Sequence, residues 1–161
     1  MEQEVRTPIT PSEADNEPAI SPAEYNKVVA GLKLVSIALT NVSASVDRTA
    51  TLNAMGKGSV PLDIRARAGF EDGAAVKVVQ SYRIGCRSGR HKCLAIDATY
   101  ELLFNSSEPF TPEFFSAFQV IALPTYVWPY FRELAQSITS RMSLPPLVLP
   151  LVGLEVMPPT A

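Results

Sequence analysis

Cys86, His91 and Cys93 are the residues whose types most invite chemistry, because thiolate and imidazole are the usual ligands of zinc. A structural zinc site needs four such ligands, commonly from close Cys-x-x-Cys pairs. Here six residues separate the cysteines across an expected turn, and the chain has no other Cys or His. The plainer reading is a basic hairpin turn; a cross-strand disulfide would need facing cysteines and an oxidising compartment. Nucleophilic catalysis would have to use His91, the only histidine, which sits between Arg90 and Lys92 with no carboxylate beside it in sequence. Asp63, Asp97 and Glu101 could pair as acid and base, but Arg65 and Arg67 stand ready to neutralise them on a solvated face. Gly56-Lys57-Gly58 lacks the flanking strand and helix of a phosphate-cradling loop. These sets argue for no enzyme, no cofactor and no metal.

What remains is apolar binding. Phe114, Phe115, Phe118 and Ile121 recur at helical spacing, as do Val127, Tyr130, Phe131, Leu134, Ile138 and Met142. Leu144-Pro145-Pro146-Leu147-Val148-Leu149 follows as a bare apolar exit. Most of this must be core. A sheet with one dry face cannot easily absorb all of it, which points to oligomers or to an open apolar groove.

The elements that would position these residues can be read in order. Residues 1–20 combine Thr7-Pro8, Thr10-Pro11 and Glu17-Pro18 with five acids, a composition expected to be disordered. Ser21-Pro22-Ala23-Glu24 has the N-cap, proline and acid of a helix start, and Gly31 its stop. Residues 32–104 are expected to form four antiparallel strands in a meander, with a long connection, Asp47 to Ser59, after the first. The first strand changes phase between Val35, Ile37, Leu39 and Val42, Ala44, Val46, which implies a bulge or a change of neighbours. The other three alternate strictly, from Val60 to Phe70, Val76 to Cys86 and Leu94 to Phe104, so one sheet face is dry and the other wet. Thr111-Pro112-Glu113 opens a helix that Pro124 ends or kinks, and a second helix runs to Pro145-Pro146. The fold class is α+β, a four-stranded antiparallel sheet packed with C-terminal helices. The domain is expected to span residues 21–152, with residues 153–161 as a Pro-rich tail expected to be disordered.

Composition agrees with a single globular domain: 161 residues, 47% hydrophobic and 19% charged. A net charge of -2 gives no drive toward nucleic acid. The acidic, Pro-rich N-terminus has no signal-peptide pattern, and Leu144 to Leu154 is too short and proline-broken to span a bilayer. The expectation is a cytoplasmic protein with no membrane insertion.

The segment Trp128-Pro129-Tyr130-Phe131-Arg132-Glu133, with Arg141 closing the helix and Pro145-Pro146-Leu147 leaving it, resembles the signature stretch of the SecB family of protein-export chaperones. In that family an aromatic-Pro-Tyr-x-Arg-Glu run opens a helix that ends in Arg and a Pro-x-Leu piece. The likeness matches Pro129, Tyr130, Arg132, Glu133, Arg141, Pro145 and Leu147 to the motif and reaches the sheet by pattern.

The resemblance implies a four-stranded sheet, a homotetramer built as a dimer of dimers, and a holdase that keeps unfolded preproteins export-competent for the ATPase SecA. By it, Pro129, Tyr130, Arg132, Glu133, Arg141 and Pro145 are structural or oligomer-interface residues. A holdase needs apolar surface and pairing edges, and Phe114, Phe115, Phe118, Leu147 and Leu149 are the candidates for its client groove. Export members carry acids on the wet sheet face and a tail that contacts SecA. Here Arg65, Arg67, Lys77 and Arg83 mix with Asp63, Asp97 and Glu101, and the sequence ends Pro158-Pro159-Thr160-Ala161. That resembles the SecB-like chaperones that guard the antitoxin of a toxin–antitoxin pair. A small apolar ligand-binding module is the reading from a different class.

Overall fold

The computed structural model describes residues 20–57 and 62–151. The segment 1–20, apart from Ile20, lies outside the described residues, as do the tail 153–161 and Gly58 to Pro61, including Val60 of the second expected strand. The elements are α1 (Pro22–Ala30), β1 (Leu32–Val46), α2 (Arg48–Gly56), β2 (Leu62–Glu71), β3 (Val76–Ser88), β4 (His91–Ser106), α3 (Pro112–Ile121) and α4 (Leu123–Arg141).

The helix starts follow their caps. Ser21 and Glu24 form a reciprocal capping box, with the Glu24 amide donating to Ser21 Oγ at 3.3 Å and the Ser21 amide to Glu24 Oε2 at 3.2 Å. The Ser21 hydroxyl also donates to Glu24 Oε2 at 2.8 Å, and that bond first, then the one from the Ser21 amide, lowers the Glu24 pKa. Thr111 caps α3 through the Phe114 amide, and Pro124 sits in the first turn of α4, where a missing N–H does no harm. Gly31 ends α1 in a tight spot, since a Cβ there would stand 2.2 Å from Ser107 Oγ. The close approach lets the Ser107 amide reach the Gly31 carbonyl at 3.1 Å, joining the start of β1 to the end of β4.

The four strands are antiparallel in the order β1-β4-β3-β2. The expected meander holds for β2, β3 and β4, whereas β1 lies beside β4 at the opposite edge from β2. The long connection explains this. It is not a plain loop but contains α2, which packs against β4 and β3 as the chain crosses the sheet. Asp47 caps α2 through the Ala50 amide at 2.9 Å. The Asp47 amide and the Thr51 hydroxyl both reach the Cys93 carbonyl at 2.8 Å, pinning the helix to β4.

The phase change in β1 is two bulges, between Leu34 and Ser36 and between Leu39 and Asn41. The second bulge keeps the apolar residues together. Ile37 and Leu39 face Leu102 and Tyr100, while Val42, Ala44 and Val46 face Ala98, Ile96 and Leu94. Cross-strand partners share a face, so both halves of β1 lie on the dry side.

The core is that dry side of β3 and β4. Val78, Ile84, Ile96, Leu102 and Phe104 are wholly buried. Aromatic pairs join sheet to helices: Tyr82 stacks on Phe131 at 4.9 Å, Phe104 meets Phe118 edge-on at 5.8 Å, and Phe70 tilts against Phe115 at 4.8 Å. Each such side chain buried contributes roughly 1.5–3 kcal/mol. Apart from Phe70 under α3, the helices leave much of the outer strands uncovered: Leu34, Leu39 and Val42 of β1 and Ile64 of β2 are exposed.

Candidate client-binding surface

Trp128, Arg132, Ala135 and Thr139 are spaced four, three and four apart, so they lie on one stripe of α4. After Arg141 the chain reverses at Ser143, whose φ of 56° is left-handed, and runs back along that stripe. Thr139 Oγ1 accepts the Leu147 amide at 2.9 Å and donates to the Ala135 carbonyl at 2.8 Å. Arg132 Nε donates to the Leu149 carbonyl and Trp128 Nε1 to the Pro150 carbonyl, each at 2.8 Å. Pro145 and Pro146 bring no N–H that would need a partner. The returning segment is therefore tied to α4 side chains at Leu147, Leu149 and Pro150, while Leu144 and Leu149 are buried.

This arrangement divides the motif. Arg132 holds the exit, whereas Pro129, Tyr130, Glu133, Arg141 and Pro145 are exposed on the chain's surface. Pro129 stands inside α4, where it can give no N–H to the turn before it. Arg141 reaches Ser137 Oγ at 3.4 Å.

The residues expected to line a groove stand elsewhere. Phe114 and Phe118 are wholly buried, Phe115 and Leu149 nearly so, and only Leu147 is half-exposed. Phe114 and Phe118 stack on each other at 5.4 Å inside a cluster with Tyr25, Phe104 and Phe110. Packing claims them because α3 lies on the end of the dry face, where Phe70 and Phe104 receive it.

The open apolar surface lies beside that cluster. A depression of about 290 Å³ runs between β2 and the α3–α4 junction, with Ala66, Tyr82, Pro124, Trp128, Pro150 and Leu151 in its lining. Gln80 also lines it and donates from Nε2 to the carbonyls of Arg67 and Ser81. Leu151 is exposed at its rim, next to the unpaired edge of β2. Sequence reading missed this surface because Tyr82 and Trp128 carry the pattern of core residues and become a floor only where the helices stop short of β2.

Burial pushes the Tyr82 phenol up to about 12, and burial, with the Glu133 charge and Tyr82 adding to it, does the same for Tyr100. Cys86 and Cys93 are free, buried thiols. Burial first, then a hydrogen bond to Cys93, pushes the Cys86 thiol up to about 11. Among the described residues no group of three or more His, Cys, Asp or Glu comes together as metal ligands. No helix there is long and apolar enough to cross a membrane.

No protein-family model matches the chain, and neither does any curated protein. Among solved structures, the SecB-like chaperone Rv1957 of Mycobacterium tuberculosis, in complex with a ChAD peptide from the Rv1956 HigA1 antitoxin, superposes with a TM-score of 0.66. It is 20% identical, and the match covers 78% of this chain and 93% of that one. A Streptococcus agalactiae protein of unknown function follows at a TM-score of 0.38 and 10% identity, covering 74% of this chain and 96% of its own. The four-stranded antiparallel sheet with its flanking helices is thus the fold of a SecB-like chaperone.

Proposed function

We propose that this chain is a SecB-like holdase that captures a non-native polypeptide, with the antitoxin of a toxin–antitoxin pair as its client. The observation carrying this reading is the open apolar depression over Tyr82 and Trp128 beside an unpaired strand edge, in a fold whose solved neighbour holds an antitoxin peptide. An extended client segment would pair its backbone with β2 and turn alternate apolar side chains into the depression. Apolar burial of about 25 cal/mol per Å² gives attraction without a strict sequence requirement, which suits a holdase. Unfolded preproteins would enter the same way, and SecA is a candidate partner only if the chain serves export.

The uncovered side of β1 is the proposed contact with a second copy. Leu34, Leu39 and Val42 form an exposed apolar row on an edge strand, and such edges are normally covered. Pairing of this kind, combined with contacts through Tyr130 and Glu133 on α4, would build the homotetramer.

The test is dilution of a chemically denatured antitoxin, or another aggregating client, with and without the protein, followed by light scattering. Scattering should fall in proportion to added protein. Unchanged aggregation at equimolar tetramer sinks the holdase reading. A small apolar ligand module is less well supported, because the depression is open along β2 instead of closed.

A further inference from the structure

The solvent face of the sheet, opposite the apolar depression, carries a trough for a charged partner. Ser45, Ala95 and Gly85 are neighbours across β1, β4 and β3, and they make a floor of small residues. Nothing lies within 4 Å of a Cβ placed on Gly85, so the space above it is free. The concavity there measures about 650 Å³. The next row across the strands is Ser43, Asp97, Arg83 and Arg65, and Arg87 and Lys92 stand on the other side of the floor.

The charges in this trough do not cancel. Arg83 pairs with Asp97, and Arg65 with Asp63 at 2.9 Å. Arg87 and Lys92 are direct cross-strand partners, both exposed, with no ion pair to a carboxylate among the described residues. Arg67 is likewise without one at the far end of the face. Like charges opposite each other destabilise a strand pair, and a bound anion would offset that cost. The whole chain is net acidic, at -2, so this basic patch is local.

We propose that this trough is a docking surface for an acidic polypeptide segment of another protein, laid across the strands between the Arg65/Arg83 row and Arg87/Lys92. Crossing four strands is about 15 Å, the reach of roughly five or six extended residues. Asp63 and Asp97 would repel an evenly charged phosphate backbone, whereas an acidic peptide with interspersed Lys or Arg can answer both signs. Tyr25 of α1 stacks on Phe114 at 5.3 Å, so the first described helix lies on the helix side of the sheet, opposite the trough.

Fluorescence anisotropy with a labelled peptide of alternating Glu and Ser, about 12 residues long, tests this. The full-length protein should bind it at about 50 mM salt, lose most of the affinity at about 300 mM, and ignore the Lys/Ser counterpart. The double variant R87E/K92E should bind about tenfold or more weakly while melting no lower than the parent. No binding of the Glu/Ser peptide, or equal binding by the variant, overturns the proposal. Tighter binding of a single-stranded oligothymidine overturns it in favour of nucleic acid. A tenfold gain on neutralising Glu13, Asp15 and Glu17 overturns it in favour of self-occupancy. Client aggregation assays on R87E/K92E should be unchanged, which separates this surface from the holdase reading.

Discussion

Arg132 donates from Nε to the main-chain carbonyl of Leu149 at 2.8 Å, across 17 residues that reverse direction at Ser143. One turn earlier on the same stripe, Trp128 does the same to Pro150. The two bonds hold the exit segment against α4 and thereby place Pro150 and Leu151 at the mouth of the apolar depression. The aromatic, Arg and Pro-rich parts of the motif are thus one clasp, with the helix as its fixed arm.

Removing the clasp should loosen the exit before it harms the core. R132A leaves the Leu149 carbonyl without its donor in a half-buried setting, at a cost of about 1–3 kcal/mol. R132K should recover only part of it, because an ammonium on a flexible stem cannot present a fixed N–H from the same point. Urea titration reads the loss. Hydrogen exchange at Leu147 and Leu149 should rise more than exchange in β3, and a uniform rise would refute the clasp.

Thr139 offers a sharper version. Its hydroxyl is wholly buried and serves the Leu147 amide and the Ala135 carbonyl together. T139V keeps the shape and strands the amide, so the cost should be about 1–3 kcal/mol, whereas T139S should stay within about 1 kcal/mol. Greater destabilisation by T139S than by T139V would mean that methyl packing, and not the hydrogen bond, dominates.

How far the chain could be read from its sequence follows from which residues act locally. Ser21, Gly31, Thr111 and the strict alternation of β3 and β4 act through near neighbours, and the corresponding elements lie where expected. The bulge in β1 was equally legible, since Leu39 and Val42 cannot share a face without an extra residue between them. The position of β1 beside β4 was not, because it depends on where α2 carries the chain, and α2 has too weak an apolar stripe to announce itself. Phe114 and Phe118 show the same limit at the site. Periodicity says that a residue is buried or binding, but only the packing of α3 on Phe70 and Phe104 says which.

Alkaline pH should weaken the fold well before it would weaken a chain with ordinary phenols. Tyr82 and Tyr100 are raised to about 12, and Cys86 to about 11, mainly by burial. The folded state thus keeps protons that the unfolded state releases from about pH 9 upward, so stability is full below that and falls as pH rises through 10 to 12. The urea midpoint should be flat from about pH 6 to 8.5 and drop steadily above 9. Y82F should flatten part of the slope; a slope identical to the parent's would remove Tyr82 from the account. The same burial should leave both cysteines slow toward a thiol reagent until urea exposes them.

The apolar depression and the β1 row should separate under substitution. L151D places a charge at the exposed rim beside Trp128 and Tyr82, where a client's apolar side chain would otherwise be desolvated. It should cut aggregation suppression several-fold and leave the melting temperature and subunit count unchanged. V42D, on the uncovered side of β1, should do the converse: light scattering on a sizing column should give smaller assemblies while each chain stays folded. The two surfaces lie at opposite edges of the sheet, because β1 sits beside β4 and not beside β2. If V42D abolished client protection without altering the assembly, the client would be pairing at β1. If L151D alone dissociated the oligomer, the depression over Trp128 would be a subunit contact and the groove would have to lie elsewhere.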